Sequence, residues 1–89
     1  MVTLLLKRLR TSGEVFIMLE DSNGRSSHCS MPEEDAQMTL VRGGVSLARA
    51  RQIIAALKID AFHSERLDLA PMVEDRLKEM VIAGEHRFR

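Results

Sequence analysis

Apolar residues follow a two-residue rhythm at the start of the chain and a three-to-four-residue rhythm later on. In VTLLLKRL, Val2, Leu4 and Leu6 share one side of an extended chain, with Leu5 and Leu9 on the other. VFIML repeats the pattern, with Val15, Ile17 and Leu19 opposite Phe16 and Met18. TSGE separates these two runs as a turn. DSNGR follows the second run, and its Asn23–Gly24 pair predicts a tight hairpin, because both residues tolerate positive φ. The polar run RSSHCS then pairs back as an edge strand.

From Ser30 onward the pattern is helical. Ser30 stands three residues before Glu33, as in a capping box, and Pro32 occupies the first turn. This helix is short, and residues 37–41 can be read as helical or extended. Gly43–Gly44 ends it, and Ser46 caps a second helix from Leu47 to about Ile59. DAFHSERLDLA reads as a turn or short helix capped by Ser64. A last helix runs from Pro71 to Ala83, with Gly84 as its C-cap. Met72, Val73, Leu77, Met80 and Val81 form its apolar face, and Ile82 lies on the polar side.

These elements predict one α+β domain over residues 1–89. An N-terminal antiparallel β-hairpin or three-stranded meander occupies residues 2–30, and three to four helices packed on the sheet span 31–84. Residues 85–89 read as a frayed tail. Both strand faces carry large apolar side chains. Helices on one side only would leave Phe16, Met18, Leu5 and Leu9 exposed; helices on both sides would cover them.

Composition narrows the class. The chain has 89 residues, 45% hydrophobic and 29% charged, within the range of a folded globular domain. A domain this short buries only about 60–65% of the surface that its unfolded chain exposes, so a partner surface would add to a small core. Three phenylalanines are the only aromatic residues among Phe, Trp and Tyr, and six methionines help fill the interior. Net charge is zero, +2 over residues 1–58 and −2 over 59–89. Nucleic-acid binders are usually basic over the binding domain, so a neutral chain weighs against that class.

The single cysteine, Cys29, excludes an intrachain disulfide. MVTLLLKRLR places apolar residues before charges, the reverse of a secretory leader, and no apolar run reaches membrane-spanning length. A reduced, cytoplasmic setting follows as the expectation.

Little in the chain resembles catalytic or ligand-binding chemistry. His28 and Cys29 are adjacent, so in a strand they point to opposite faces and do not converge on one metal ion. The glycines fall at turns and caps. Glu33-Glu34-Asp35 and Glu74-Asp75 suit the first turns of helices, where the dipole favours negative charge, and Glu74 is spaced to pair with Lys78. We therefore expect no catalytic residues, metal, cofactor or small-molecule ligand.

On a helical wheel, Leu47, Ala50, Ile53, Ile54 and Leu57 fall within an arc of roughly 120°, while Arg49 and Arg51 flank it roughly 160° apart. Ala48, Gln52, Ala55 and Ala56 lie away from this stripe. Small residues there allow another backbone to approach closely.

Residues 36–57 nevertheless resemble a helix-turn-helix segment. Gly44-Val45-Ser46 matches the turn of that family, and Ala50 and Ile53 fall at its apolar positions. The resemblance implies a DNA-binding regulator in which Leu47, Ala48, Arg51 and Gln52 face the major groove and Arg49 touches phosphate. The segment departs from the pattern at Thr39, Leu40 and Gly43.

Two functions follow as expectations. The first is a small non-enzymatic protein-interaction module that regulates or inhibits a partner by occupying its surface, with a homodimer as the simplest form. Its candidate contact residues are Phe16, Met18, Ala48, Gln52, Ala55 and Ile82. Phage and plasmid accessory proteins offer a class analogy. The alternative is DNA binding through Arg49, Arg51 and Gln52.

Overall fold

The computed structural model describes residues 1–87, with side chains through residue 83. Four strands and three helices follow in the order β1 (Val2–Arg8), β2 (Val15–Glu20), β3 (Ser26–Met31), α1 (Glu33–Arg42), α2 (Leu47–Ala56), β4 (His63–Leu67) and α3 (Pro71–Arg87). The sheet order is β3-β2-β1-β4, and every neighbouring pair is antiparallel. The expected α+β class and N-terminal meander are therefore present.

Period-two alternation sets the sheet's inner face. Val2, Leu4, Leu6, Val15, Ile17 and Leu19 have no exposed surface, and Cys29 and Met31 continue this layer onto β3. Ala36 and Leu40 from α1, Ala50, Ile53 and Ile54 from α2, and Leu77 and Val81 from α3 close the core against it. Thr39 is buried within this apolar layer, and its hydroxyl donates to the Asp35 carbonyl at 2.9 Å. A polar residue is thus accommodated where the stripe calls for an apolar one.

Several boundaries differ from the sequence reading. SERL is strand rather than helix: β4 returns to the free edge of β1, pairing Leu6 with His63 and Val2 with Leu67. The sheet has four strands, and a strand interrupts the expected helical region 31–84. Ser30 does not cap α1. It lies within β3 opposite Phe16, because β3 continues to Met31 opposite Val15. The N-cap is Pro32, with no side-chain cap bond. Residues 37–41 are helical. The second helix stops at Ala56, where Leu57 turns extended. Backbone helicity continues through Gly84, so that glycine is not the cap of α3, and residues 85–87 are helical rather than a tail. Residues 88–89 of the expected tail lie outside the described residues. Met72 is 70% exposed and does not join the apolar face of α3.

The α1–α2 connection keeps its sequence logic. The N–H of Gly44 donates to the Val41 carbonyl at 3.0 Å, and that of Val45 to the Leu40 carbonyl at 3.1 Å. This is a Schellman closure, and Gly44 supplies the left-handed residue that it needs, at φ +96°. Ser46 then caps α2, accepting from the Arg49 N–H at 3.2 Å.

The β2–β3 turn forms at the expected place in a different geometry. Gly24 has φ +79°, but Asn23 does not share the positive region, so this is not the two-residue mirror-image turn. Asp21 and Arg25 close a longer loop, with the Asp21 N–H donating to the Arg25 carbonyl at 2.8 Å. The Asp21 carboxylate accepts the N–H groups of Asn23 and Arg25, each at 2.9 Å, and thereby holds the loop. Gly24→Val is expected to cost about 1–3 kcal/mol, since a β-branched residue resists that φ. An unchanged thermal midpoint would contradict this.

The same loop anchors α3. Lys78 Nζ reaches Asp21 Oδ2 at 2.9 Å, and Glu74 accepts the Ser22 N–H at 3.0 Å and its hydroxyl at 2.7 Å. Glu74 and Lys78 thus bind the loop separately and are not paired with each other. The Lys78 ammonium, followed by the loop N–H groups, holds the Asp21 carboxyl below its usual range. The Ser22 N–H does the same for Glu74. Asp21 in turn raises Lys78. Depressed carboxyls contribute stability that is present above their unfolded values and lost as pH falls through the folded ones. Stability should therefore drop below about pH 4, and Asp21→Asn should flatten part of that decline. The Lys78 contribution is complete below its ordinary value and disappears only as pH rises through its raised one. Urea unfolding from about pH 7 to about pH 3 checks the acid limb; equal slopes for variant and wild type would refute the assignment.

Candidate protein-interaction surface

α1 and α3 pack on one face of the sheet and α2 packs against α1 over the same core; among the described residues no element covers the opposite face. Strand alternation places Thr3, Leu5 and Lys7 of β1 on that open face. Phe16, Met18 and Glu20 of β2 lie beside them, and Ser26, His28 and Ser30 of β3 beyond. The register forms rows. Met18 sits between Leu5 and His28, Phe16 between Lys7 and Ser30, and Glu20 between Thr3 and Ser26. On β4, Ser64 lies beside Leu5 and Arg66 beside Thr3.

The apolar centre is partly self-organised. The Phe16 ring lies 5.7 Å from the His28 ring and 6.2 Å from that of Phe62, which is 46% exposed just before β4. Lys7 Nζ stands 4.9 Å from the Phe62 ring centre and 6.0 Å from that of Phe16. These are cation–π distances at a wet site. Adjacent residues His28 and Cys29 point oppositely, as strand geometry requires: His28 is on the open face and Cys29 is buried in the core.

Of the expected contact residues, Phe16 and Met18 come together on this face. Leu5, which the strand alternation had placed on their side, joins them. Ala48, Gln52 and Ala55 form a separate exposed surface on α2, and among the described residues no element packs over them. Ile82 is 40% exposed on α3. Sequence reading missed Phe62, His28 and Lys7 as members of the patch. Phe62 and Lys7 meet only because β4 pairs with β1, and β4 itself was not recognised.

On α2, Arg51 and Gln52 are exposed. Arg49 turns back to β4, where its Nη2 meets Glu65 Oε1 at 3.1 Å, and His63 Nε2 meets the same oxygen at 2.8 Å. The first turn of α1 carries Glu33, Glu34 and Asp35. In a helix-turn-helix the first helix crosses the DNA backbone, where carboxylates are unfavourable.

Among the described residues, no helix is long and apolar enough to cross a membrane, and no group of three or more His, Cys, Asp or Glu side chains is placed to hold a metal ion. Comparison with protein-family models, curated proteins and solved structures finds no match.

Proposed function

We propose that this chain is a small, non-enzymatic, cytoplasmic interaction module that regulates or inhibits a partner protein by laying its open sheet face on it. One observation carries the reading: Leu5, Phe16, Met18 and Phe62 form a contiguous apolar centre on a sheet face that, among the described residues, no helix covers. Exposed apolar patches rimmed by polar residues mark contact surfaces on small domains. Here Thr3, Ser26, Ser30, Glu20 and Arg66 supply the rim. Large side chains at the centre with a polar border match the anatomy of a protein–protein interface.

A second reading is DNA binding. It is favoured by the short Gly43–Ser46 turn that joins α1 to α2 and by the exposure of Arg51 and Gln52. Two observations weigh against it. Arg49 is already engaged by Glu65, and three carboxylates occupy the first turn of α1. On these two helices that leaves Arg42 and Arg51 as the other exposed cations, few for the phosphate neutralisation that drives such binding.

Nuclease-treated affinity capture from the native host, using wild type, Met18→Glu and Gln52→Glu as baits, separates the two readings. The proposed function expects one stoichiometric protein complex that is lost in Met18→Glu and retained in Gln52→Glu. Loss with Gln52→Glu alone, together with salt-sensitive gel shifts by the wild type, would favour DNA.

A further inference from the structure

We infer that the resting occupant of the open sheet face is a second copy of this chain, packed sheet to sheet about a two-fold axis running along the strands. The inference rests on the proposed use of that face and names what covers it.

Area comes first. Four strands about 4.8 Å apart and about six residues long give a footprint near 400 Å². With side-chain relief, two such faces bury roughly 1,000 Å² in all, which is at the threshold for a specific but weak interface. The face therefore matches another sheet of its own size.

A two-fold axis along the strands lays β2 of one copy over β1 of the other, and β3 over β4. Met18 then meets Leu5 of the second copy at the centre of the interface. Lys7 comes over the Phe16 ring of the second copy, a cation–π arrangement already present within one chain. Glu20 comes within side-chain reach of Arg66 of the second copy, with sheets about 10 Å apart. Each dimer thus gains two Glu20–Arg66 approaches of opposite sign, against one Glu20–Glu20 and one Lys7–Lys7 approach at the same one-strand offset, so the balance is attractive, and zero net charge adds no overall repulsion. The sheet order allows this match because the acidic corner is on β2 and the basic corner on β4, two strands away.

Sedimentation equilibrium from low micromolar to near-millimolar concentration tests the inference. Wild type should show a concentration-dependent monomer–dimer equilibrium. Met18→Glu, with an unchanged circular dichroism spectrum, should weaken it roughly 30-fold or more, as for a central contact residue. Because a charge at Met18 can also disturb folding, a second pair is decisive. Glu20→Arg and Arg66→Glu lie on the exposed rim and should each weaken association, while the double reversal restores it. A monomer at every concentration would overturn the inference, as would a dimer indifferent to both Met18 and the Glu20–Arg66 reversal. Such a result leaves the proposed function to the capture experiment. A monomer that still loses its captured partner in Met18→Glu refutes the dimer alone; a monomer whose capture ignores Met18 refutes both.

Discussion

Leu4→Ala is expected to remove about 2–5 kcal/mol, the largest loss that a single core truncation should produce here. Leu4 is wholly buried on β1, a central strand, with Leu19 and Glu65 as its neighbours in the sheet. Removing its branched side chain loses transfer energy and leaves a cavity that two flanking strands prevent from collapsing. A domain of this length has a total stability of roughly 5–10 kcal/mol, so much of the margin disappears. The thermal midpoint should fall by at least about 10 °C. Leu5→Ala, one residue along but on the open face, should cost about 1 kcal/mol or less. Equal losses at both positions, measured by urea unfolding, would mean that the open face is as dry as the core and would contradict the half-buried state of Leu5.

Arg8→Ala is expected to cost about 1.5–3 kcal/mol. Arg8 ends β1 and holds three elements together. Nη2 donates to the Ile54 carbonyl at 2.8 Å in the last turn of α2, and Nη1 reaches the Gly13 carbonyl at 3.3 Å and the Glu33 carboxylate. The Glu33 side chain is half exposed, so that ion pair alone contributes about 1 kcal/mol at most. The larger share comes from the part-buried helix carbonyl, which a cation also favours through the dipole. Glu33→Ala should accordingly be mild. Arg8→Lys should recover only a minority of the loss, because one ammonium cannot span the three acceptors. If Glu33→Ala proved as damaging as Arg8→Ala, the weight would lie in the ion pair instead.

The elements that were legible in the sequence are those whose local chemistry and tertiary role agree. Val2-Leu4-Leu6 and Val15-Ile17-Leu19 alternate because one face is buried, and Gly44 and Ser46 stop and start helices by local bonds. β4 was not legible because two of its three inward positions are His63 and Glu65 rather than apolar residues. Glu65 sits at 17% side-chain exposure because Arg49 and His63 satisfy it, a pairing that no periodicity reveals. A polar edge strand pairs through its backbone, leaving only Leu67 as an apolar mark. The loop at Asp21 shows the same limit. Asn23–Gly24 signals a turn, but its type depends on Asp21 and on Lys78, more than fifty residues later.

The two-faced apolar pattern of β1 and β2 was visible from the start, and Phe16 and Met18 were candidates on that basis. Which face the helices would cover was not visible, because it depends on where α1 and α3 dock. The patch also gains Phe62 from the segment entering β4. The alanine-rich side of α2 was expected to receive a close neighbour, but within one chain it is exposed. Among the described residues, Ala48→Trp and Ala55→Trp would meet no close contact within one chain.

The methionines provide a direct test of whether the open sheet face is the surface that becomes covered. Met18 lies on that face, Met38 and Met72 are 45% and 70% exposed on helices, and Met31 is buried at 3%. Peroxide oxidation followed by residue-resolved mass spectrometry reads all four at once, in dilute protein and in the assembled state. Met18 is expected to oxidise when dilute and to become protected on assembly, while Met38 and Met72 react unchanged in both. Protection of Met38 or Met72 with Met18 still reactive would place the interface on the helical side and contradict the proposed function.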